Sequence, residues 1–419
     1  MVFIGFGFLM TYLKKYGYSS LGFNFLLAAL TLQWSMICEG FFELNDDYKI
    51  AIGLDSLFKA DIATAAVLIS MGAVLGRTSH IQLVVMSILE IFTYCLNNAL
   101  NNHYFKAVDA GGSVTVHTFG AYFGLSASYV LQKRTKAESI ESYHLDEASY
   151  ASNIYAMIGS IFLWVYWPSF NSIHLEDDRA HMAIINTYLS LTSCCVSTFI
   201  VSQLNSKQHK FNMIHIQNST LAGGVAVGAC AHLMIQPFGA VLLGAITGAI
   251  SVYGYTTLSN TLQSYRVLDT CGINNLHGIP GILGGLVSVL IASLANEEQY
   301  GKSLYKIYPA RVNPNTSWSP QYIFPEVGSG RSAQQQAGYQ ALLLFVTVLL
   351  AVISGIISGA IISWEMWGTT PSAFYYNDLE FWEMPSEQQT IKGILPIVWP
   401  VKEKLYHKKS NSNLFNVAT

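Results

Sequence analysis

Long apolar stretches alternate with short polar segments along this chain. Eleven stretches approach the roughly 20 apolar residues that a helix needs to cross a hydrocarbon core. The expected spans are residues 2–13, 19–42, 60–76, 81–100, 112–132, 153–173, 181–203, 213–235, 238–258, 275–295 and 338–364. Glycine pairs four residues apart, such as Gly244 and Gly248, predict close helix crossings. The pattern therefore predicts an all-α polytopic membrane protein of about eleven helices, the first of them short.

Composition supports this interpretation and excludes several classes. Of 419 residues, 52% are hydrophobic and 11% are charged, against about 25% charged in an ordinary soluble domain. The net charge of −3 provides no basic field for a nucleic acid. The six cysteines form no CxxC pair, so they are interpreted as buried free thiols. Phosphate loops, HExxH motifs and nucleophile elbows are absent from the sequence, so we expect no enzyme, cofactor or metal site.

Basic residues concentrate in alternate loops and fix the expected orientation. They are Lys14, Lys15, Arg77, Lys133, Arg134, Lys136, Lys207, Lys210 and Arg266, with five lysines in the tail. The positive-inside rule then puts the amino terminus outside and the carboxyl terminus in the cytoplasm. The longest outer loop contains the sequon Asn315-Thr316-Ser317, so Asn315 is a glycosylation candidate.

A nine-residue pattern, D-x-x-G-x-x-x-x-H, occurs twice, at 109–117 and at 269–277. The two copies open spans that are five apart, and they therefore enter the membrane from opposite sides. This is typical of an inverted-topology repeat, with a site near the midplane. The expected organisation is a first five-span repeat at 1–132, a cytoplasmic connector at 133–152, a second five-span repeat at 153–295, an extracellular loop at 296–337, an eleventh span at 338–364 and a cytoplasmic tail at 365–419.

The residue types in the repeated pattern favour a pore. Asp109 and Asp269 stand where helices begin, so they can cap free N–H groups. His117 and His277 follow eight residues later, about 12 Å along a helix. Two imidazoles at mid-membrane can hydrogen-bond each other and line a polar path. The alternatives are two unrelated core histidines bonded to backbone carbonyls, or a metal site, for which a third ligand is missing.

The repeated segments also resemble the Rh glycoprotein branch of the ammonium transporter superfamily, and within it the non-erythroid epithelial Rh glycoproteins. The supporting strings are VFIGFGFLM at 2–10, HTFGAYFG at 117–124, WPSFNS at 167–172, LAGGVAVG at 221–228, residues 269–280, and FWEMP at 381–385. The resemblance extends from Met1 to about residue 390. Members of this branch carry a further span and a glycosylated loop before the stretch that begins here at Met1.

The resemblance implies an ammonium transporter fold and a homotrimer with one pore in each subunit. By residue, it implies pore histidines at His117 and His277, pore-mouth acids at Asp109 and Asp269, and an external vestibule gate at Phe170 with Asn171 next to it. The second gate position, where the family has phenylalanine, holds Ile62. An aliphatic gate lacks a cation–π face, so we expect a less selective outer vestibule.

The expected function is an electroneutral ammonia channel of the plasma membrane, with CO2 as a second candidate gas. Besides ammonia or ammonium, the expected partners are membrane lipid and a cytoskeletal or sorting protein at the tail, with no nucleic acid. Two alternatives stay open: a non-conducting structural subunit of Rh type, and an ion-coupled secondary transporter that uses the inverted repeat for alternating access.

Overall fold

The structure, a computed structural model, describes residues 1–134, 146–314 and 328–385. Within these ranges the secondary structure is helical, apart from one antiparallel bridge between Leu13 and Ala148. The prediction of an all-α protein is thus confirmed. The glycosylation candidate Asn315 lies outside the described residues, as does the tail after residue 385.

Helices lie at all eleven predicted spans. They are α1 (Val2–Tyr12), α2 (Gly17–Phe42), α3 (Leu54–Val74), α4 (His80–Phe105), α5 (Ser113–Thr118 continued by Phe119–Arg134), α6 (Tyr150–Ser172), α7 (Asp177–Leu204), α8 (Met213–Ser219), α9 (Ala222–Val227), α10 (Gln236–Ser264), α11 (Asn274–Leu294) and α12 (Ala333–Ile362). Among the described residues, seven of these helices are long and apolar enough to cross a membrane: α2, α3, α4, α7, α10, α11 and α12. Asp378 begins a second compact unit.

The predicted span at 213–235 is not one continuous helix. It forms the short helices α8 and α9, followed by turns up to residue 235. The Ser113 hydroxyl satisfies part of the interrupted backbone, since it donates to the Val225 carbonyl at 2.5 Å and accepts from the Ala229 N–H at 2.6 Å. Irregular backbone is tolerated at membrane depth where protein buries it. The predicted continuous span was wrong here, although the stretch carries polar residues at His215, Gln217 and Asn218.

Glycines bring the helix backbones into direct contact. A Cβ atom at Gly244 of α10 would lie 2.1 Å from the Ser190 carbonyl oxygen of α7, and one at Gly248 would lie 2.6 Å from the Cys194 carbonyl oxygen. The same close approach joins α5 to α3, where a Cβ at Gly120 would lie 2.5 Å from a backbone oxygen. Small residues allow such crossings in membrane helices. These contacts hold α10 against α7 and α5 against α3 at close range.

Candidate functional site

The two copies of the repeated pattern adopt the same backbone geometry. Gly112 and Gly272 have φ angles of +65° and +69°, in the left-handed region that glycine adopts without steric cost. Each is followed by a π-helical segment, Ser113–Thr118 in one copy and Asn274–Gly278 in the other. Wide turns of this kind are frequent at functional sites. Each turn carries the histidine of its own copy.

Each aspartate of the pattern caps the turn that carries its histidine. The Asp109 carboxylate accepts hydrogen bonds from the N–H groups of Val114 at 3.0 Å and Thr115 at 2.7 Å. The Asp269 carboxylate accepts from the N–H groups of Ile273 at 2.8 Å and Asn274 at 2.9 Å. Burial raises the pKa of Asp109, and it raises the pKa of Asp269 to about 6, although the backbone hydrogen bonds oppose both shifts. Each aspartate thus stabilises the turn that leads to the histidine of its own copy.

The two histidines meet at the centre of the bundle. The Nδ1 atoms of His117 and His277 are 3.1 Å apart, and the ring centroids are 5.1 Å apart with planes inclined by 12°. Both side chains are buried, at 1% and 3% exposure. For this contact to be a hydrogen bond, one Nδ1 must carry a proton and donate it, and the other must be unprotonated and accept it. Nε2 of His117 is buried and has no hydrogen-bond partner among the described residues.

Two further aromatic rings extend the histidine pair into a stack of four. Phe6 lies against His277 with centroids 6.2 Å apart and an angle of 19°. Trp167 lies against His117 at 5.6 Å and 20°. The outer rings restrict rotation of the imidazoles between them. Sequence reasoning did not single out these two residues, although both fall in the strings that carry the family resemblance.

The three expected gate residues occupy different environments. Phe170 is partly buried and tilts against His117, with centroids 5.9 Å apart. Ile62 is partly exposed on α3. Asn171 is fully buried, and its amide donates to the Thr187 hydroxyl and the Gly224 carbonyl, both at 3.1 Å. Asn171 therefore joins α6 to α7 and α9, whereas Phe170 contacts the histidine pair.

Two cavities lead toward the histidines from the Asp269 side. The inner one measures about 20 Å³, and Phe6, Leu276 and His277 are among its lining residues. The outer one, here called the Asp269 vestibule, measures about 410 Å³. Its described lining comprises Tyr12, Asp146, Ile214, Asn218, Tyr255, Ser259, Asn260, Gln263, Val267, Leu268, Asp269, Thr270, Cys271, Gly272 and Tyr376. Tyr12, Asn218 and Cys271 line both cavities, so the two cavities lie next to each other between Asp269 and His277.

Known proteins are similar to this chain in sequence and in fold. The zebrafish (Danio rerio) ammonium transporter Rh type B is 45% identical over 391 residues, covering 93% of this chain and 82% of the relative. The human ammonium transporter Rh type C is 42% identical over 393 residues, covering 93% and 79%. Among solved structures, Nitrosomonas europaea Rh50 matches with a TM-score of 0.72 and 30% identity, covering 97% of this chain and 95% of that one.

One solved structure is a more distant match, and one family model matches most of the chain. Saccharomyces cerevisiae Mep2 has a TM-score of 0.65 at 17% identity, covers 85% of this chain and 81% of that one, and supports the fold alone. The Ammonium Transporter Family matches residues 1–367. This is a family of transporters and channels, not of enzymes. With a family match over residues 1–367 and Rh-type relatives that are 42–45% identical, the chain belongs to the ammonium transporter family.

Proposed function

We propose that this protein is a channel that conducts neutral ammonia, without net charge movement, through a hydrophobic pore lined by His117 and His277. The observation that carries the proposal is the buried contact between His117 and His277 beside the inner cavity. A bare ammonium ion in this narrow apolar cavity would lose its water shell at a large cost. Neutral ammonia can cross because the imidazole nitrogens offer hydrogen bonds in place of water.

The proposed cycle assigns a role to each predicted residue. Ammonium meets the outer vestibule near Phe170 and Ile62 and gives its proton to water on that side. Ammonia then passes the histidine pair and takes a proton from water in the Asp269 vestibule. The carboxylates of Asp109 and Asp269 stabilise the pore mouths, because they hold the turns that carry the histidines. The mostly apolar inner cavity is also compatible with CO2, which the flux measurement below can include.

The proposal includes the assembly and orientation that the sequence predicts. The two repeats are residues 1–132 and 153–295, and the shared geometry around Gly112 and Gly272 supports them. The amino terminus is outside, the tail is in the cytoplasm, and three copies form the plasma-membrane assembly. The long loop at 296–337 is then extracellular, and a sorting or cytoskeletal partner would bind the tail. Protease and tag accessibility on intact cells tests this orientation.

Ammonia flux with simultaneous current, in liposomes containing the purified protein, tests the conduction mechanism. We expect a fast pH change after an ammonium gradient is applied, with no protein-dependent current. A current proportional to the flux would instead support an ion-coupled transporter. A protein that inserts and assembles but produces no flux would be a structural subunit, and either result would overturn the channel proposal.

Replacing Ile62 by phenylalanine should increase the affinity of the outer vestibule for the substrate cation. The new ring adds a cation–π face to the vestibule that Phe170 already borders, an interaction worth about 0.5–1 kcal/mol at an exposed site. We therefore expect the half-saturating methylammonium concentration from outside to fall by about two- to fivefold. Uptake by expressing oocytes measures this, with Ile62→Leu as the size-matched control. If both variants behave like the wild type, residue 62 is not part of the gate.

Replacing Trp167 by leucine should slow ammonia conduction. Leucine removes the flat surface that faces His117 and lets that imidazole rotate away from His277. We expect a loss of about three- to tenfold in ammonia permeability, in line with the 0.5–1.5 kcal/mol of an aromatic pair. Trp167→Phe keeps a stacked ring and should restore most of the permeability. Equal permeability of the leucine and phenylalanine variants would show that stacking has no part in conduction.

A further inference from the structure

Two tyrosine rings of the Asp269 vestibule are held in place by their own hydroxyl groups. The Tyr12 hydroxyl donates to the Thr270 carbonyl. The Tyr255 hydroxyl donates to the carbonyls of Cys271 at 3.1 Å and Gly272 at 3.0 Å. All three carbonyls belong to the short segment that follows Asp269. The hydrogen bonds engage the hydroxyl ends and fix both rings beside the cavity that they line.

A third tyrosine reaches the same cavity from a distant part of the chain. Tyr376 follows α12, and its N–H donates to the Gly76 carbonyl at 2.8 Å. Its ring lies directly on Gly76, since a Cβ atom there would be 2.2 Å from a ring carbon. Tyr376 is 9% exposed. Backbone contact rather than side-chain flexibility therefore sets the position of this ring in the vestibule wall.

The charge of the vestibule favours a cation. Of its described lining residues, Asp146 and Asp269 are acidic and none is lysine or arginine. Tyr12 is near enough to Tyr255, Tyr376 and Asp269 to interact with each of them electrostatically. An aromatic ring attracts a cation over its face, most strongly where water is partly removed. The cavity of about 410 Å³ has room for a small cation and several waters, at about 30 Å³ for each water.

We propose that the Asp269 vestibule is a binding site for ammonium and methylammonium, formed by Asp269 and the rings of Tyr12, Tyr255 and Tyr376. This site stands at the opposite end of the path from the gate at Phe170. It holds the cation on that side before it loses, or after it regains, its proton. The inference rests on the proposed function for its place in the cycle, whereas the binding itself can be measured separately.

The site predicts a specific kinetic signature for Tyr376→Leu. Loss of one ring weakens the bound cation but leaves the barrier at the histidines unchanged. From the vestibule side, the half-saturating concentration and the maximum rate should therefore both rise, by about fivefold, and their ratio should stay constant. From the other side neither value should change. A general structural defect would lower the rates from both sides.

Sealed membrane vesicles of both orientations test this signature with radiolabelled methylammonium. Inside-out vesicles expose the proposed cytoplasmic face, which carries the Asp269 vestibule, and right-side-out vesicles expose the other. We expect the fivefold rise in inside-out vesicles only, with recovery in Tyr376→Phe and no effect of Tyr253→Leu, a change on the exposed surface of α10. An unchanged Tyr376→Leu, or equal changes on both sides, would overturn the site. An effect in right-side-out vesicles only would support the site and reverse the proposed orientation.

Binding to purified protein separates this inference from the proposed conduction. Saturation-transfer NMR detects weakly bound methylammonium through its methyl protons. We expect a signal from the wild type that falls in Tyr376→Leu and persists in Tyr376→Phe and in His117→Ala. If no methylammonium flux occurs but this pattern is found, the channel proposal fails and the site stands. Identical signals from wild type and Tyr376→Leu would overturn the site even where flux is normal.

Discussion

Replacing His117 and His277 together by alanine should reduce ammonia permeability by about 5- to 140-fold. Each imidazole is expected to give ammonia one hydrogen bond in the constriction, worth about 0.5–1.5 kcal/mol, and each 1.4 kcal/mol corresponds to about a factor of ten. The variant keeps an open path, because alanine is smaller, but it has no group there to replace water. Stopped-flow measurement of the internal pH of liposomes, at matched protein content, gives the permeability.

The control for this experiment is His181→Ala, which removes an exposed histidine from α7. It should leave permeability unchanged. The single variants should each lose nearly as much as the double variant, because either change breaks the Nδ1 contact and leaves the remaining imidazole free to turn. A double variant that folds and conducts like the wild type would contradict the role of the histidine pair.

Replacing Gly244 by valine should strongly destabilise the whole bundle. The added Cβ would stand 2.1 Å from the Ser190 carbonyl oxygen, which belongs to the α7 backbone and cannot turn aside as a side chain could. The two helices would have to separate along their contact, at a cost of about 1–3 kcal/mol or more for overpacking. We expect a clear fall in the temperature at which the detergent-solubilised protein loses its size-exclusion peak.

Gly338→Val is the matched control, since a Cβ at that position of α12 has no neighbouring atom within 4 Å. This substitution should leave the thermal transition nearly unchanged. The same assay gives the transition for both variants and for the wild type. If Gly244→Val were as stable as Gly338→Val, the contact between α10 and α7 would be less tight than the structure has it.

The hydropathy pattern predicted the positions of the helices, but it did not predict all of their ends. The last span was predicted to begin at residue 338, whereas α12 begins at Ala333. Its first turn is polar and is fixed by a capping box: the Ser332 hydroxyl accepts from the Gln335 N–H at 3.1 Å, and the Gln335 side chain accepts from the Ser332 N–H at 2.8 Å. A search for apolar residues cannot detect such a turn. The pattern S-x-x-Q in the sequence could have indicated it.

Some residues of the candidate site could be predicted from the sequence, and others could not. His117 and His277 could be found because a pattern repeated along the chain marks them. Trp167 and Phe6 carry no such pattern, and they became visible only as rings stacked on the imidazoles. Tyr376 lies far along the chain from the repeat, so its place in the vestibule wall depends on the path of the chain after α12.

The sequence by itself determined that the chain is a helical membrane protein, where its helices lie, and which two segments are related. These properties depend on local composition and on repetition. Both are visible in the sequence without knowledge of contacts between distant residues. Only the tertiary structure decided that the span at 213–235 is broken and that three tyrosines from α1, α10 and the segment after α12 surround one cavity. Such contacts depend on how closely glycines let the backbones approach, and this distance is set by packing across the bundle.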